Sequence, residues 1–190
     1  MTEQYFEDGT FEKIDFTAKA LGKGEYDGCT FKHCNFSNTD LSNTDFSDCE
    51  FIGCNLSMAK LVKTAFKNIK FKDCKLLGLH FENCSPFLFE VNFDNCLLNL
   101  SSFYKMKIIK TTFKDSTLHE VDFTEANLAN AIFDNCDLNN AIFSNSIVEK
   151  ADFRTAYHYS INPETNKIKK AKFSMAGITG LLNQYDIVVE

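Results

Sequence analysis

Eight cysteines and four histidines are the side chains here with the widest chemical reach. Cys29 and Cys34 have four residues between them, and Cys49 and Cys54 repeat that spacing twenty residues later. Cys74, Cys84, Cys96 and Cys136 follow singly. Two such pairs invite a zinc or disulfide interpretation. Zinc sites, however, place paired ligands about two to four residues apart in a turn that converges the thiolates. The spacing here obeys a different rule, set out below, and a free cysteine is a good small core residue. The thiols are therefore read as buried and structural. His33, His80, His119 and His158 share no partner pattern, and the first three fall on outward positions of that rule. The aspartates are numerous but do not form a convergent pair. With only eight glycines, the chain shows no phosphate-cradling loop, nucleophile elbow or metalloprotease helix motif. No cofactor and no catalysis are expected.

The rule is a period of five. Stepping by five from Phe6 through Phe81 meets sixteen positions, all large and apolar. The phase slips by two residues, resumes at Leu88, and runs through Phe93, Phe113, Phe133 and Phe153 to complete fourteen more. Counting Phe173, four steps further, eighteen of the twenty phenylalanines lie on this lattice. Neither a helix, repeating at 3.6 residues, nor a strand, repeating at two, stays in phase with such a step. The position two before each lattice residue holds small or modest side chains, and all eight cysteines sit there. Thr39, Thr44, Ala59, Thr64, Ala126, Ala131, Ala141 and Ala151 occupy equivalent places. The remaining three positions of each pentad are mostly Asn, Asp, Ser, Lys and Thr, which face outward.

Segments such as TDLSN (39–43), TDFSD (44–48), CNLSM (54–58), ANLAN (126–130), CDLNN (136–140) and ADFRT (151–155) resemble the pentapeptide-repeat family. That resemblance implies an all-β, right-handed quadrilateral β-helix with four pentads per coil. Every fourth lattice position should then stack. Reading so gives an unbroken column of Phe11, Phe31, Phe51, Phe71, Phe93, Phe113, Phe133 and Phe153, extended by Phe173. Like stacks on like, as coils repeating at the inter-strand spacing require. About 7.5 coils at ~4.8 Å each make a rod of roughly 36 Å. The slip, ENCSPFLF (82–89), is expected to be a small bulged loop with Pro86 where a missing N–H costs least.

The expected organisation is a β-helix over 1–155, an irregular last coil over 156–173, and a C-terminal cap over 174–190. In that cap Ser174 starts a helix over Met175–Tyr185, and Asp186–Glu190 forms a short strand. Gly177 and Gly180 lower helix propensity but permit close backbone approach. The ending KFSMAGITGLLNQYDIVVE (172–190) resembles that of the Qnr-type quinolone-resistance proteins. By that resemblance Met175, Ile178, Leu181, Leu182 and Tyr185 form a homodimer contact, and exposed apolar ends of rods favour such pairing.

At 190 residues the chain suits one domain. Its net charge of −6 argues against a general nucleic-acid binder. No apolar run is long enough for a membrane span, and Met1–Gly9 is acidic rather than signal-like, so a cytoplasmic protein is expected. Charge is segmental: residues 1–60 carry −6, 61–110 carry +4, 111–150 carry −5 and 151–190 carry +1. A lysine belt, from Lys63 to Lys75 and Lys105 to Lys110, separates two acidic sections. Phe87, Phe89, Leu97, Leu100, Ile109, Ile132, Ile142 and Ile147 are apolar at outward positions, as a partner patch or packing under a loop would have them. The Qnr resemblance implies a DNA mimic that binds DNA gyrase or topoisomerase IV. The alternative is a general protein-interaction scaffold.

Overall fold

A large side chain at every fifth residue reaches one interior only if the backbone turns within each pentad. In the computed structural model, which describes residues 4–185 and 187–188, it does. Two residues after nearly every inward large residue the chain enters the left-handed region. Among the described residues twenty-five that are not glycine have positive φ, besides Gly28, Gly53 and Gly78. Twelve of the twenty-five are Asn or Asp, the side chains best suited to that conformation, which explains the Asn/Asp-rich pentads. The corner N–H groups are not wasted. Asn38 N–H donates to the Ser57 carbonyl at 2.9 Å and Asn130 to Glu149 at 2.9 Å, each one coil onward.

Flat sides between corners form parallel ladders of strands β1 (Gln4–Glu7), β2 (Thr10–Glu12), β3 (Gly24–Asp27), β4 (Thr30–Lys32), β5 (Asp45–Ser47) and β6 (Glu50–Ile52). The series continues with β7 (Ala65–Lys67), β8 (Ile69–Lys72), β9 (Val91–Asp94), β10 (Thr112–Lys114) and β11 (Ile132–Asp134). One face is the sheet β1-β3-β5-β7, the next is the seven-stranded sheet of the others, and single parallel bridges build the remaining two faces. Register advances by twenty residues per coil, as in Phe31 against Phe51 and Phe113 against Phe133. The fold is an all-β quadrilateral solenoid.

Nine phenylalanines from Phe11 to Phe173 stack as one column, with consecutive ring centroids 4.6–5.5 Å apart. Neighbouring columns meet this one edge-on, as Phe103 meets Phe113 at 6.0 Å and 87°. Offset stacking along the rod and T-shaped contacts across it are the two arrangements an aromatic quadrupole favours. Phe31, Phe51, Phe71, Phe93, Phe113, Phe133 and Phe153 are all fully buried.

Three expectations need correction. Leu88, placed on the lattice by counting, is 64% exposed with a φ of 55°. Phe89, expected to point outward, instead brings its ring to 6.5 Å from Phe66 and 6.3 Å from Phe81. The ladder holds up to Ser85, whose N–H reaches the Thr64 carbonyl, and resumes at Glu90, whose N–H reaches that of Phe66. The inserted residues swing out between them, and the larger aromatic re-enters because it buries more apolar surface.

The helix over Met175–Tyr185 does not form. A turn over 175–177 leads to two 3-10 segments, Ile178–Leu181 and Asn183–Tyr185. Two glycines in one turn each cost about 1 kcal/mol of helix propensity, and the segment is shaped by contact instead. A Cβ on Gly180 would collide with the Tyr159 carbonyl oxygen, and the Gly180 carbonyl accepts from Ile161 N–H at 2.9 Å. Of the expected terminal strand, Asp186, Val189 and Glu190 lie outside the described residues, and Ile187 and Val188 are not in a strand.

Candidate interaction surface

The small inward residues do more than fill space. Cys49, Cys54, Cys74 and Cys96 donate their thiols to the carbonyls of Tyr26, Phe31, Phe51 and Phe71 at 3.2–3.4 Å. Thr64, Ser146 and Asn166 make the same bond to Leu41, Phe123 and Phe143 at 2.8–3.0 Å. A buried carbonyl of a lattice residue thus gains a partner from the following coil. Burial pushes the Cys49 and Cys136 thiols up to about 12, which keeps them as thiols at neutral pH. This hydrogen-bonding role escapes sequence reasoning, although Cys, Thr, Ser and Asn sharing one lattice position is its signal.

With the interior filled, recognition falls to the four outer faces, and these differ. On the second face, that of β2, β4, β6 and β8 to β11, both signs are present and several charges pair locally. Lys114 lies 3.5 Å from Asp94 and 3.6 Å from Asp115. Asp152 is held by the Arg154 guanidinium at 2.7 Å and faces Lys172 at 3.5 Å. Its hydrogen bonds to Arg154, working against partial burial, bring its pKa down to about 2.

The third face carries a cluster missed from sequence. His119 Nε2 is 2.9 Å from one oxygen of Asp137 and His158 Nδ1 is 2.8 Å from the other. Partial burial opposes ionisation of Asp137, but bonds and charge from the two rings prevail and hold its carboxyl below the ordinary range. Because the rings address opposite oxygens, they do not converge on one point. Among the described residues no group of His, Cys, Asp or Glu is arranged to hold a metal ion. The signal was spacing near twenty residues, which stacks His119, Asp137 and His158 on successive coils.

The first face is mainly acidic in its early coils and mainly basic in its late ones. Glu7, Glu25, Asp27 and Asp45 lie in β1, β3 and β5 and Asp8 and Asp48 at the corners that follow, and of these six only Asp45 has a lysine partner, Lys67 of β7, among the described residues. Beyond the bulge the same face continues through the stacked bridges Lys107–Asn127, Asn127–Ile147 and Ile147–Lys167. There it presents Lys107, Lys110, Lys150, Lys167, Lys169 and Lys170, all exposed, with the half-buried Glu149 among them. The acidic residues of 111–150, by contrast, scatter over all four faces.

Of the residues expected at a C-terminal contact, Met175, Ile178 and Tyr185 are exposed, Leu182 is half-buried and Leu181 is buried within its own chain. The Tyr185 hydroxyl donates to Glu164 at 2.7 Å. Among the outward apolar positions, Phe87, Leu97, Leu100, Ile132 and Ile142 are exposed, whereas Ile109 and Ile147 are half-buried. No described helix is long and apolar enough to cross a membrane.

Five-residue turns, stacked coils and a thiol-lined interior define a solenoid of pentapeptide coils. Residues 25–85 and 87–157 match the family model described as pentapeptide repeat region, and the chain belongs to the pentapeptide-repeat family. No curated protein sequence matches it. Among solved structures it is similar to QnrB1, described as a plasmid-mediated fluoroquinolone resistance protein, in a trypsin-treated form with a single substitution. That match has 17% identity and a TM-score of 0.72, covering 98% of this chain and 92% of the other. A second trypsin-treated variant of QnrB1 is similar at 16% identity with a TM-score of 0.63, covering 98% and 100%. At such identity the likeness is one of fold.

Proposed function

We propose that the protein is a non-enzymatic, cytoplasmic DNA mimic that binds a type II topoisomerase, DNA gyrase foremost and topoisomerase IV as the related target. The acidic half of the first face carries this reading. The five carboxylates without a lysine partner, over three coils of ~4.8 Å, give one charge per ~2.9 Å, within a factor of two of the ~1.7 Å of duplex DNA. A cleft built to bind duplex phosphates meets a comparable line of charge, fixed on a rigid sheet. The fold shared with QnrB1 supports the same choice. A homodimer through the exposed Met175, Ile178 and Tyr185, with Leu182 at its rim, would double the acidic surface.

One observation favours the alternative of a general scaffold: the first face reverses sign beyond the bulge, so the line of negative charge ends there. Gyrase supercoiling and quinolone-induced DNA cleavage, measured over a titration of the purified protein, separate the two. The mimic inhibits supercoiling or relieves the drug at low micromolar concentration, and Glu25→Lys with Asp27→Lys abolishes the effect. No effect on gyrase or topoisomerase IV overturns the topoisomerase reading and leaves the scaffold.

A further inference from the structure

The parallel ladder of the first face is broken at the bulge. In the later coils, each carbonyl that points back has a donor in the coil before it. Asn127, Ile147 and Lys167 accept from the N–H groups of Ile108, Leu128 and Val148 at 2.7–2.9 Å. Ala129, Glu149 and Lys169 accept from the corner N–H groups of Lys110, Asn130 and Lys150 at 2.9–3.0 Å. The equivalent carbonyls of Lys107 and Ile109 have no hydrogen-bond partner among the described residues. Their donors belong to the coil of the bulge, which swings out between Ser85 and Glu90. It leaves a cavity of about 420 Å³ between the bulge and Lys107–Thr111. Leu88, Phe89, Val91 and Ile109 give the cavity apolar walls, and Lys107, Lys110 and Glu90 stand exposed at its rim. Lys105 is paired with Glu125 at 3.6 Å, whereas Lys107 and Lys110 have no carboxylate within ion-pair distance among the described residues. The rim therefore holds a surplus of one positive charge. An open strand edge of this kind is a template for another chain.

We infer that this notch binds an extended peptide segment of a partner protein, one that carries the chain's own pentad pattern of an acidic residue followed by a large apolar one. The N–H of the apolar residue donates to the Lys107 carbonyl, and the N–H two residues on donates to that of Ile109. Leu128 and Asn130 make the same two bonds to Ile147 and Glu149. The apolar side chain lies in the cavity, and the preceding carboxylate falls in the outward column beside Lys107, where it meets the surplus charge. Main-chain bonds supply the affinity, and the acidic and apolar positions supply the selectivity. Two free carbonyls alone would also suit an amine or a metal cation, but the lysines at the rim repel both. The inference is independent of the topoisomerase reading, because no carboxylate of the acidic coils takes part.

The test titrates acetyl-Thr-Asp-Leu-Ser-Asn-amide, the sequence of residues 39–43, into the isotope-labelled full chain and follows amide chemical shifts by NMR. A Kd of about 1 mM suits so short an edge, with the shifts confined to the bulge and Lys107–Thr111. Replacing the peptide's Asp by Lys weakens binding roughly tenfold, and N-methylating its Leu abolishes it. In Lys107→Glu the preference reverses and the Lys peptide becomes the tighter ligand, which a misfolded chain would not show. Deleting Pro86 and Phe87 leaves Cys-Ser-Leu-Phe-Glu, a regular pentad whose N–H groups close the ladder on Lys107 and Ile109. That shortened chain keeps both lysines and no longer binds the peptide. No binding to the unaltered chain, equal binding of the N-methylated peptide, an unchanged preference in Lys107→Glu, or undiminished binding to the shortened chain overturns the inference.

Discussion

Phe113 shows what a single lattice residue contributes. Its ring is fully buried, stacked 5.1 Å from Phe93 and 4.9 Å from Phe133, and met edge-on by Phe103 and Phe123. Phe113→Ala removes all four contacts and should cost about 3–5 kcal/mol in chemical denaturation. Asp115→Asn, two residues on, keeps a side chain suited to its φ of 48° and should change little. Corner residues offer the opposite sign. Leu100 is exposed at a φ of 63°, where most coils carry Asn, Asp, Gly or Lys. Leu100→Asn should stabilise the fold by about 0.5–1 kcal/mol, read as a raised Tm. Asp152 sets an acid limit. Its pKa of about 2 lies below the unfolded value, so its contribution is complete above about pH 4 and is lost as pH falls towards 2. Since Arg154 is largely exposed, the contribution is on the order of 1 kcal/mol after screening. Asp152→Asn should flatten the stability-against-pH curve in that window and lower stability at pH 7 by the same amount.

At the scale of elements, the chain is a set of corners joined by three- and four-residue strands, and that is why its fold can be read in advance. One large inward residue and one left-handed corner recur every five positions, so Phe31, Phe51 and Phe71 announce both the turn and the stack. Legibility fails where the count fails. At the bulge, the lattice selects Leu88 over Phe89, because a period cannot say which of two adjacent apolar residues re-enters. At the C-terminus, an apolar stripe at helical spacing over Met175–Leu182 is overridden by Tyr159 packing against Gly177 and Gly180. The faces are legible only once twenty-residue stacking is applied to the polar residues too. Linear charge counts hid both the acidic early coils of the first face and the His119–Asp137–His158 cluster. The glycine contact makes a prediction of its own. In Gly180→Ala the new methyl meets backbone, which cannot yield as a flexible side chain would. The 174–185 segment should detach, with faster proteolysis there and a loss of about 1–3 kcal/mol.

For the whole molecule, each coil touches only its neighbours, so stability is close to a sum over coils and the interfaces between them. Ends then differ from the middle, and the two ends differ from each other. In the first coil Phe6 and Phe11 are only half-buried, since a described coil stacks on one side of them alone. At the other end Phe173 stacks on Phe153 and meets Tyr159 at a tilt, and the 174–185 segment lies over Tyr159 with Leu181 buried. Native-state hydrogen exchange should reveal that asymmetry. Amides of β1 and β2 should exchange through local fraying at low opening free energy. Those of β8, β9 and β10 should open only with global unfolding, and the ladder near Asp152–Lys172 should stay close to them. Gly180→Ala should bring the C-terminal coils down towards the level of β1 while leaving β8 to β10 the last to open. Uniform protection from β1 to Lys172 in the unaltered chain would mean that the rod unfolds as one unit, against the nearest-neighbour picture on which the stacked columns rest.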